Sequence, residues 1–194
     1  MPDYDEEARR LFARLNLPGD GSAAGSEYND ADTVFVHPVS QARFFIGNRS
    51  IAANRAQLAK LRIFSIVNCQ EEGSSNFFVD DPEFTYMRFP ITRWQRDVRT
   101  RSPEGLVQYM QPLFEFVDRK LEAGENVMVH CLAGAHRAGT AGVSYVMHAT
   151  GLGAQEAVTA VQRCRPFVEP IFDFKELLQR LEVGLAARGP AAAG

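Results

Sequence analysis

The sequence predicts an α/β fold: a single domain with a central, mostly parallel sheet flanked by helices. Two observations predict it. Apolar, β-rich runs alternate with helical patterns from residue 33 onward. One of these runs, NVMVH at 126–130, leads through a loop of small residues into a further helical pattern. A buried strand, a loop and a helix in this order are typical of a phosphate-binding site.

The first predicted element is a short helix at 4–16, with its apolar side chains on one side. The segment from residue 18 to 32 is rich in Gly, Ser, Ala and Asp. We therefore interpret residues 1–32 as an N-terminal helix and a flexible linker. The folded domain is predicted over 33–185, and it opens with strands at 33–37, 43–46 and 63–68 and a helix at 50–61.

A strand at 84–90 is followed by an arginine-rich loop and a long helix whose Ser102-Pro103 start is a good N-terminal signal. That helix ends at Gly124. The remaining predicted elements are the strand at 126–130 and helices at 138–150, 153–164 and 171–184. Residues 186–194 have little to pack and are predicted to be a disordered tail.

Composition excludes several functional classes. The formal net charge of −3 argues against a nucleic-acid partner. No apolar run reaches the ~20 residues of a membrane span, and the N-terminus resembles neither a signal nor a transit peptide. The three cysteines lack metal spacing and suit free thiols in a reducing compartment. We expect a cytoplasmic protein, with nuclear entry left open, that needs no metal or other cofactor. The oligomeric state is not predicted.

The loop after the strand at 126–130 is suited to hold one anion. Its backbone N–H groups can curl around a phosphate, and Gly134 can adopt a positive φ at no cost. Arg137 offers a planar fork that matches two phosphate oxygens, which a lysine could not reproduce. The predicted phosphate-binding residues are Leu132, Ala133, Gly134, Ala135, His136 and Arg137.

Cys131 lies at the base of this loop. The helix N-terminus, the inward N–H groups and the guanidinium all favour its thiolate, which makes it the candidate nucleophile. The alternative is a buried structural cysteine at the end of a strand. That alternative leaves the small-residue loop and its arginine unexplained.

These residues resemble the H-C-x5-R signature of the protein tyrosine phosphatase superfamily, with His130, Cys131 and Arg137 in the matching places. The wider sequence is similar to the compact dual-specificity phosphatases, through FFIGNRS, IFSIVN and RCRPF. The resemblance implies metal-free hydrolysis through a cysteinyl-phosphate, with His130 stabilising the surroundings of Cys131. It also implies phosphorylated proteins as substrates.

The same resemblance calls for an aspartic acid on a loop roughly thirty residues before the cysteine, as general acid. Asp97 lies 34 residues upstream and is the only acid between Phe84 and Ser102. The alternative is a solvated aspartate paired with Arg96 or Arg99. The loop also carries a cluster of arginines that either attracts anionic substrates or forms a solvated face; its members are Arg93, Arg96, Arg99 and Arg101.

Two departures from the family pattern are visible. Ala138 stands where most relatives carry Ser or Thr, which predicts slow breakdown of the phosphoenzyme. His136 stands where plant starch phosphatases carry Gly, which weakens a glucan assignment. Three functions stay open: a protein phosphatase, a phosphatase for phosphoinositide or phosphoglucan, and a low-turnover phosphate-binding module. Cys69 is either a core residue or a redox partner of Cys131, and Cys164 is expected in the core.

Overall fold

The computed structural model describes residues 3–15, 17 and 28–188. Its strands are β1 (Ala31–Val36), β2 (Arg43–Gly47), β3 (Ile63–Asn68), β4 (Thr85–Arg88) and β5 (Asn126–His130). Its helices are α1 (Tyr4–Arg14), α2 (Arg49–Ala52), α3 (Arg55–Lys60), α4 (Pro103–Glu122), α5 (Arg137–Thr150), α6 (Ala154–Cys164) and α7 (Phe174–Arg188). Two 3-10 helices, Ile91–Arg96 and Val98–Arg101, lie between β4 and α4.

The five strands form one sheet in the order β1-β2-β5-β3-β4. All neighbouring pairs are parallel except β1 with β2. β5 lies in the centre and is buried from Val127 onward, as expected for a strand with helices on both faces. At its carboxyl end, His130 pairs with Gly47 on one side and Asn68 on the other. The residues that follow these three strands therefore meet at one edge of the sheet, where α/β folds bind ligands.

The sheet separates two apolar layers. The larger layer packs α4 to α7 against one face, and the smaller packs α2 and α3 against the other around Phe45, Leu58 and Met128. A third, smaller cluster joins α1 to the loop that follows β5. This third cluster brings the N-terminal helix to the predicted phosphate loop.

The structure confirms the predicted α/β class and the bounds of the strands at 63–68 and 126–130. The helix predicted at 50–61 is instead two short helices, because Asn54 caps the second one by accepting from Gln57 N at 3.1 Å. Cys164 is exposed rather than in the core, since it lies on the outer face at the end of α6. Residues 18–27 of the predicted linker and 189–194 of the predicted tail lie outside the described residues.

Over the described part of the chain, no helix combines the length and the apolar character required to cross a bilayer. The longest, α4, has 20 residues but is charged on its outer face. That helix packs closely against α7 at Gly184, where an added Cβ would lie 2.4 Å from Pro103 O and 2.6 Å from Val107 Cγ2. Glycine therefore sets the distance between the two helices.

We expect Gly184→Ala to lower the free energy of unfolding by about 1–3 kcal/mol, because α7 must move away from backbone atoms of α4. The higher helix propensity of alanine opposes this loss by only about 1 kcal/mol. Gly73→Ala is the control, since nothing lies within 4 Å of its added Cβ. Urea unfolding checks both variants, and equal midpoints would show that the helix pair tolerates the methyl group.

Candidate active site

The loop between β5 and α5 starts at Cys131, which is almost fully buried, and ends where α5 begins at Arg137. Gly134 adopts a φ of +64°, and an added Cβ there would lie 2.5 Å from Gly47 O. Both the backbone conformation and the close approach of β2 require glycine at this position. The turn that the sequence predicted for this glycine is confirmed.

A single buried side chain, Arg165, holds the outer side of the loop. Its Nε donates to Gly134 O at 2.8 Å, and its Nη2 donates to Ala133 O at 3.2 Å. Its Nη1 donates to Asn29 O at 2.9 Å and pairs with Asp32 at 2.6 Å. The guanidinium is completely buried, so Asp32 and the carbonyls replace the water that it gives up.

The other carbonyls of the loop are bonded outward as well. Tyr28 Oη is a second donor to Ala133 O, and backbone N–H groups donate to the remaining carbonyls: Arg49 N to Leu132 O at 3.0 Å, Glu169 N to Ala135 O at 3.1 Å and Thr140 N to His136 O at 2.8 Å. Because these carbonyls are bonded to other parts of the chain, we infer that the N–H groups of the loop face the space above the cysteine. Gly134 N donates to Cys131 Sγ at 3.3 Å. The loop is thus a preformed anion site with a thiol at its base.

Arg137 closes this site from the first turn of α5, and its side chain is 6% exposed. Burial would lower the pKa of its guanidinium, but Cys131 and the Asp5 carboxylate outweigh burial and raise it. Nη2 donates to Asp5, whereas the buried Nε has no hydrogen-bond partner among the described residues. An unsatisfied buried donor is costly, so a ligand oxygen at Nε would be stabilised.

His130 and Cys69 lie beneath the loop and are buried. Burial lowers the pKa of His130 to about 4, so the imidazole is neutral at physiological pH. Cys69 N donates to His130 O at 2.9 Å, and burial, followed by the nearby Cys131, raises the pKa of the Cys69 thiol well above its ordinary value. All three cysteines are free thiols, and a redox pair of Cys69 with Cys131 stays a prediction. Within the described ranges, no group of three or more His, Cys, Asp or Glu side chains is placed to hold a metal ion.

Asp97 lies between the two 3-10 helices and caps the second one by accepting from Arg99 N at 3.0 Å. Its carboxylate also accepts from the Arg99 guanidinium, at 2.6 Å from Nη2. This pairing holds the pKa of the Asp97 carboxyl below its ordinary value. The structure therefore brings the residues of the loop together, but it ties Asp97 to Arg99 rather than to the loop.

The segment that carries Asp97 is anchored by the buried Trp94. Its Nε1 donates to Asp173 at 2.6 Å, and the Arg180 guanidinium lies 5.4 Å from the centre of the indole ring. Arg93, one member of the predicted cationic cluster, is paired with Glu71 and Glu72 on the neighbouring loop. Together with the pairing of Arg99, this contact leaves the cluster less cationic than its sequence suggests.

Sequence reasoning missed three residues of the site. Arg165 lies in the RCRPF segment between a predicted helix and a proline, and its position in the sequence does not indicate that it is buried. Tyr28 and Asp5 fall in the segment interpreted as helix and linker, and nothing in their spacing indicates contact with a loop more than a hundred residues away. Their roles depend on tertiary contacts.

Comparison with known proteins identifies the family. The chain matches the dual specificity phosphatase catalytic domain over residues 44–183 and belongs to that family. It is 32% identical to dual specificity protein phosphatase 22-B of Danio rerio over 72% of this chain and 70% of the relative. It is 28% identical to dual specificity protein phosphatase Mpk3 of Drosophila melanogaster over 83% of this chain, but it spans only 36% of that relative.

The fold agrees with this assignment. A crystal structure of human DUSP28 superposes with a TM-score of 0.63 at 22% identity, covering 81% of this chain and 96% of that chain. The predicted resemblance to the dual-specificity phosphatases is thereby confirmed.

Proposed function

We propose that this protein is a dual-specificity phosphatase that hydrolyses phosphate monoesters on proteins through a cysteinyl-phosphate. The observation that carries the proposal is the loop after β5, whose carbonyls from Leu132 to His136 are hydrogen-bonded to other parts of the chain, above a buried cysteine. Membership in the dual specificity phosphatase family supports it. The three free thiols suit a reducing compartment, which supports the cytoplasmic location that we propose.

The first chemical step joins Cys131 Sγ to phosphorus and breaks the bond from phosphorus to the ester oxygen. The loop N–H groups and Arg137 bind the three phosphoryl oxygens, whose charge they stabilise in the transition state. Nε of Arg137 donates to the second oxygen of a bidentate pair, which satisfies an N–H that has no partner among the described residues. Neutral His130 supports the cysteine from below without acting as a base.

Asp97 donates a proton to the leaving oxygen in the first step. In the second step it takes a proton from water as the water oxygen attacks phosphorus, and the bond to sulfur breaks to regenerate the thiolate. To act in this way, Asp97 must exchange Arg99 for the substrate oxygen, a movement of the loop between β4 and α4. The pairing with Arg99 thus describes the resting state.

We expect Cys131→Ser to abolish turnover and to keep the affinity for inorganic phosphate, because the loop N–H groups and Arg137 remain. Arg137→Lys is the companion variant, and we expect it to lose phosphate affinity as well, since an ammonium cannot form the fork. Calorimetry with phosphate and an aryl phosphate assay give the two readouts. Turnover by the serine variant would remove Cys131 as nucleophile.

A panel of phosphotyrosyl and phosphothreonyl peptides, phosphoinositides and solubilised phosphoglucan separates the remaining functions. Hydrolysis of the peptides supports the protein phosphatase. Hydrolysis of phosphoinositide or phosphoglucan alone would replace it with the corresponding lipid or glucan phosphatase. Phosphate binding without turnover of any member would leave a binding module.

We expect Asp97→Asn to lower kcat by about 10²- to 10⁴-fold on substrates with poor leaving groups and far less on activated aryl phosphates. Asparagine keeps the cap on the second 3-10 helix, so the loss reports the missing proton. Asp81→Asn is the matched control, because Asp81 also accepts from a backbone N–H two residues on and pairs with an arginine. Equal losses on both classes of substrate would indicate a structural role.

Arg99→Gln tests the pairing through the pH profile. The general acid must be protonated, so kcat/KM falls as pH rises through the pKa of Asp97. Arg99 lowers that pKa, and its removal moves this limb of the profile to higher pH. If the pH profile of kcat/KM does not move, Arg99 is not paired with Asp97 in the protein to which the substrate binds.

We expect Ala138→Ser to accelerate hydrolysis of the cysteinyl-phosphate, because a hydroxyl in the first turn of α5 can donate to the departing thiolate. Rapid mixing with an aryl phosphate measures both steps. In the native protein we expect a burst of product and a slow steady rate, and in the variant a faster steady rate with an unchanged burst. A native protein without a burst would show that this step does not limit turnover.

A further inference from the structure

The N-terminal helix α1 occupies the mouth of the phosphate site. From its first turn, the Asp5 carboxylate accepts a hydrogen bond from Nη2 of Arg137. Asp5 is half exposed, whereas the arginine side chain beneath it is buried. One of the two donors that a phosphate would use is therefore already taken by a carboxylate, while Nε has no partner among the described residues.

The apolar face of α1 lies along the outer side of the same loop. Ala8, Leu11 and Phe12 are buried, and their cluster includes Ala133 and Ala135 of the phosphate loop. These three residues follow Asp5 by three, six and seven positions, which places them on one side of the helix. The helix is thus held by an acid at the phosphate site and by an apolar stripe beside it.

Tyr4 secures the start of the helix at the segment that carries the candidate general acid. Its ring packs on Phe174 and lies 5.9 Å from the guanidinium of Arg137. Its hydroxyl donates to Asp173 at 2.6 Å, and the other oxygen of Asp173 accepts from Trp94 Nε1. The helix therefore contacts Arg137 and the phosphate loop directly, and it reaches the segment that carries Asp97 through Asp173.

We propose that α1 is an internal pseudosubstrate in which Asp5 stands in the place of a phosphorylated side chain. The inference rests on the proposed phosphatase function and extends it to a substrate class. The surface under α1 is then the substrate surface, and it takes phosphoproteins that present the phosphorylated residue in the first turn of an amphipathic helix. In such a substrate, apolar residues follow the phosphorylated residue at the same spacing at which Ala8, Leu11 and Phe12 follow Asp5.

The short reach of Asp5 selects among phosphorylated residues. In phosphoserine and phosphothreonine, phosphorus lies one bond further from Cα than the carboxyl carbon of aspartate does. In phosphotyrosine a whole aromatic ring intervenes, which would hold the helix backbone away from the apolar seat. The seat of α1 therefore fits helical phosphoserine and phosphothreonine sites better than phosphotyrosine sites.

The first test measures the affinity of the full chain for inorganic phosphate by calorimetry, which needs no turnover. We expect Asp5→Asn to bind phosphate about tenfold more tightly than the native chain, because a charge-assisted competitor at Arg137 is removed. Glu6→Gln is the matched control, since Glu6 carries the same charge in the same turn but pairs with Arg9 and Arg10. We expect its affinity to stay within about twofold of the native value.

An unchanged phosphate affinity in Asp5→Asn would overturn the proposal. If that variant also loses turnover, Asp5 is instead a residue that positions Arg137. The affinity result holds even where no substrate is hydrolysed, so the proposal and the phosphatase function can fail separately.

The second test uses peptides with the sequence of residues 3–15 and the full-length Asp5→Asn/Leu11→Ser chain, whose α1 is less firmly seated. One peptide carries phosphoserine at position 5, a second carries phosphotyrosine there, and a third carries phosphoserine with Leu11 and Phe12 replaced by serine. We expect kcat/KM for the first to exceed both others by at least about tenfold, since two apolar side chains are buried only there.

Equal hydrolysis of the three peptides, or preference for the phosphotyrosyl one, would overturn the substrate class. The Asp5→Asn chain is measured in parallel, so a double variant that fails to fold leaves the comparison intact. If no peptide and no aryl phosphate is turned over while Asp5→Asn binds phosphate more tightly, the phosphatase function fails and the occupancy of the site by α1 stands.

Discussion

The buried guanidinium of Arg165 is the contact on which the site depends. A loop that binds an anion through its N–H groups must turn its carbonyls outward, and those carbonyls lose water when the loop is packed under helices. Arg165 satisfies two of them, and its charge is balanced by Asp32 at the start of β1. The edge strand, the residues before it and the C-terminal helices are thereby tied to the six-residue loop between β5 and α5.

The second constraint is electrostatic. The loop gathers a helix N-terminus, inward N–H groups and the buried Arg137, so it is strongly favourable for negative charge. In the resting chain, Gly134 N donates to the Cys131 sulfur at the base of the loop. The Arg137 guanidinium pairs with the Asp5 carboxylate on the opposite side. The Asp97 carboxylate pairs with the Arg99 guanidinium instead of with a group of the loop. The charges of the resting site are thus paired internally rather than with a substrate.

The central strand, the loop and the order of the elements could be predicted because each is encoded locally. NVMVH has three consecutive apolar residues at its centre, and the Ala-Gly-Ala segment at 133–135 allows the chain to turn tightly after it. The division of the helix at 50–61 was missed because Asn54 is compatible with a helix interior until its side chain is seen capping Gln57. The roles of Arg165 and Asp5 could not be predicted. From sequence alone a charged residue is expected to be exposed to solvent, and the partners of these two residues are distant in the sequence.

The same physics explains how a pseudosubstrate can be held without blocking the site permanently. A carboxylate fills one donor of Arg137 and leaves Nε without a partner among the described residues, whereas a phosphoryl group has enough oxygens for both donors and for the loop N–H groups. A free phosphate must displace Asp5 without help from the apolar seat, but a helical phosphoprotein replaces Asp5, Leu11 and Phe12 together. Because α1 is part of the same chain, its effective concentration at the site is high. A phosphate ester that binds weakly and is not helical does not displace it. Selectivity at this site would then come from competition with the chain's own helix as much as from the shape of the pocket.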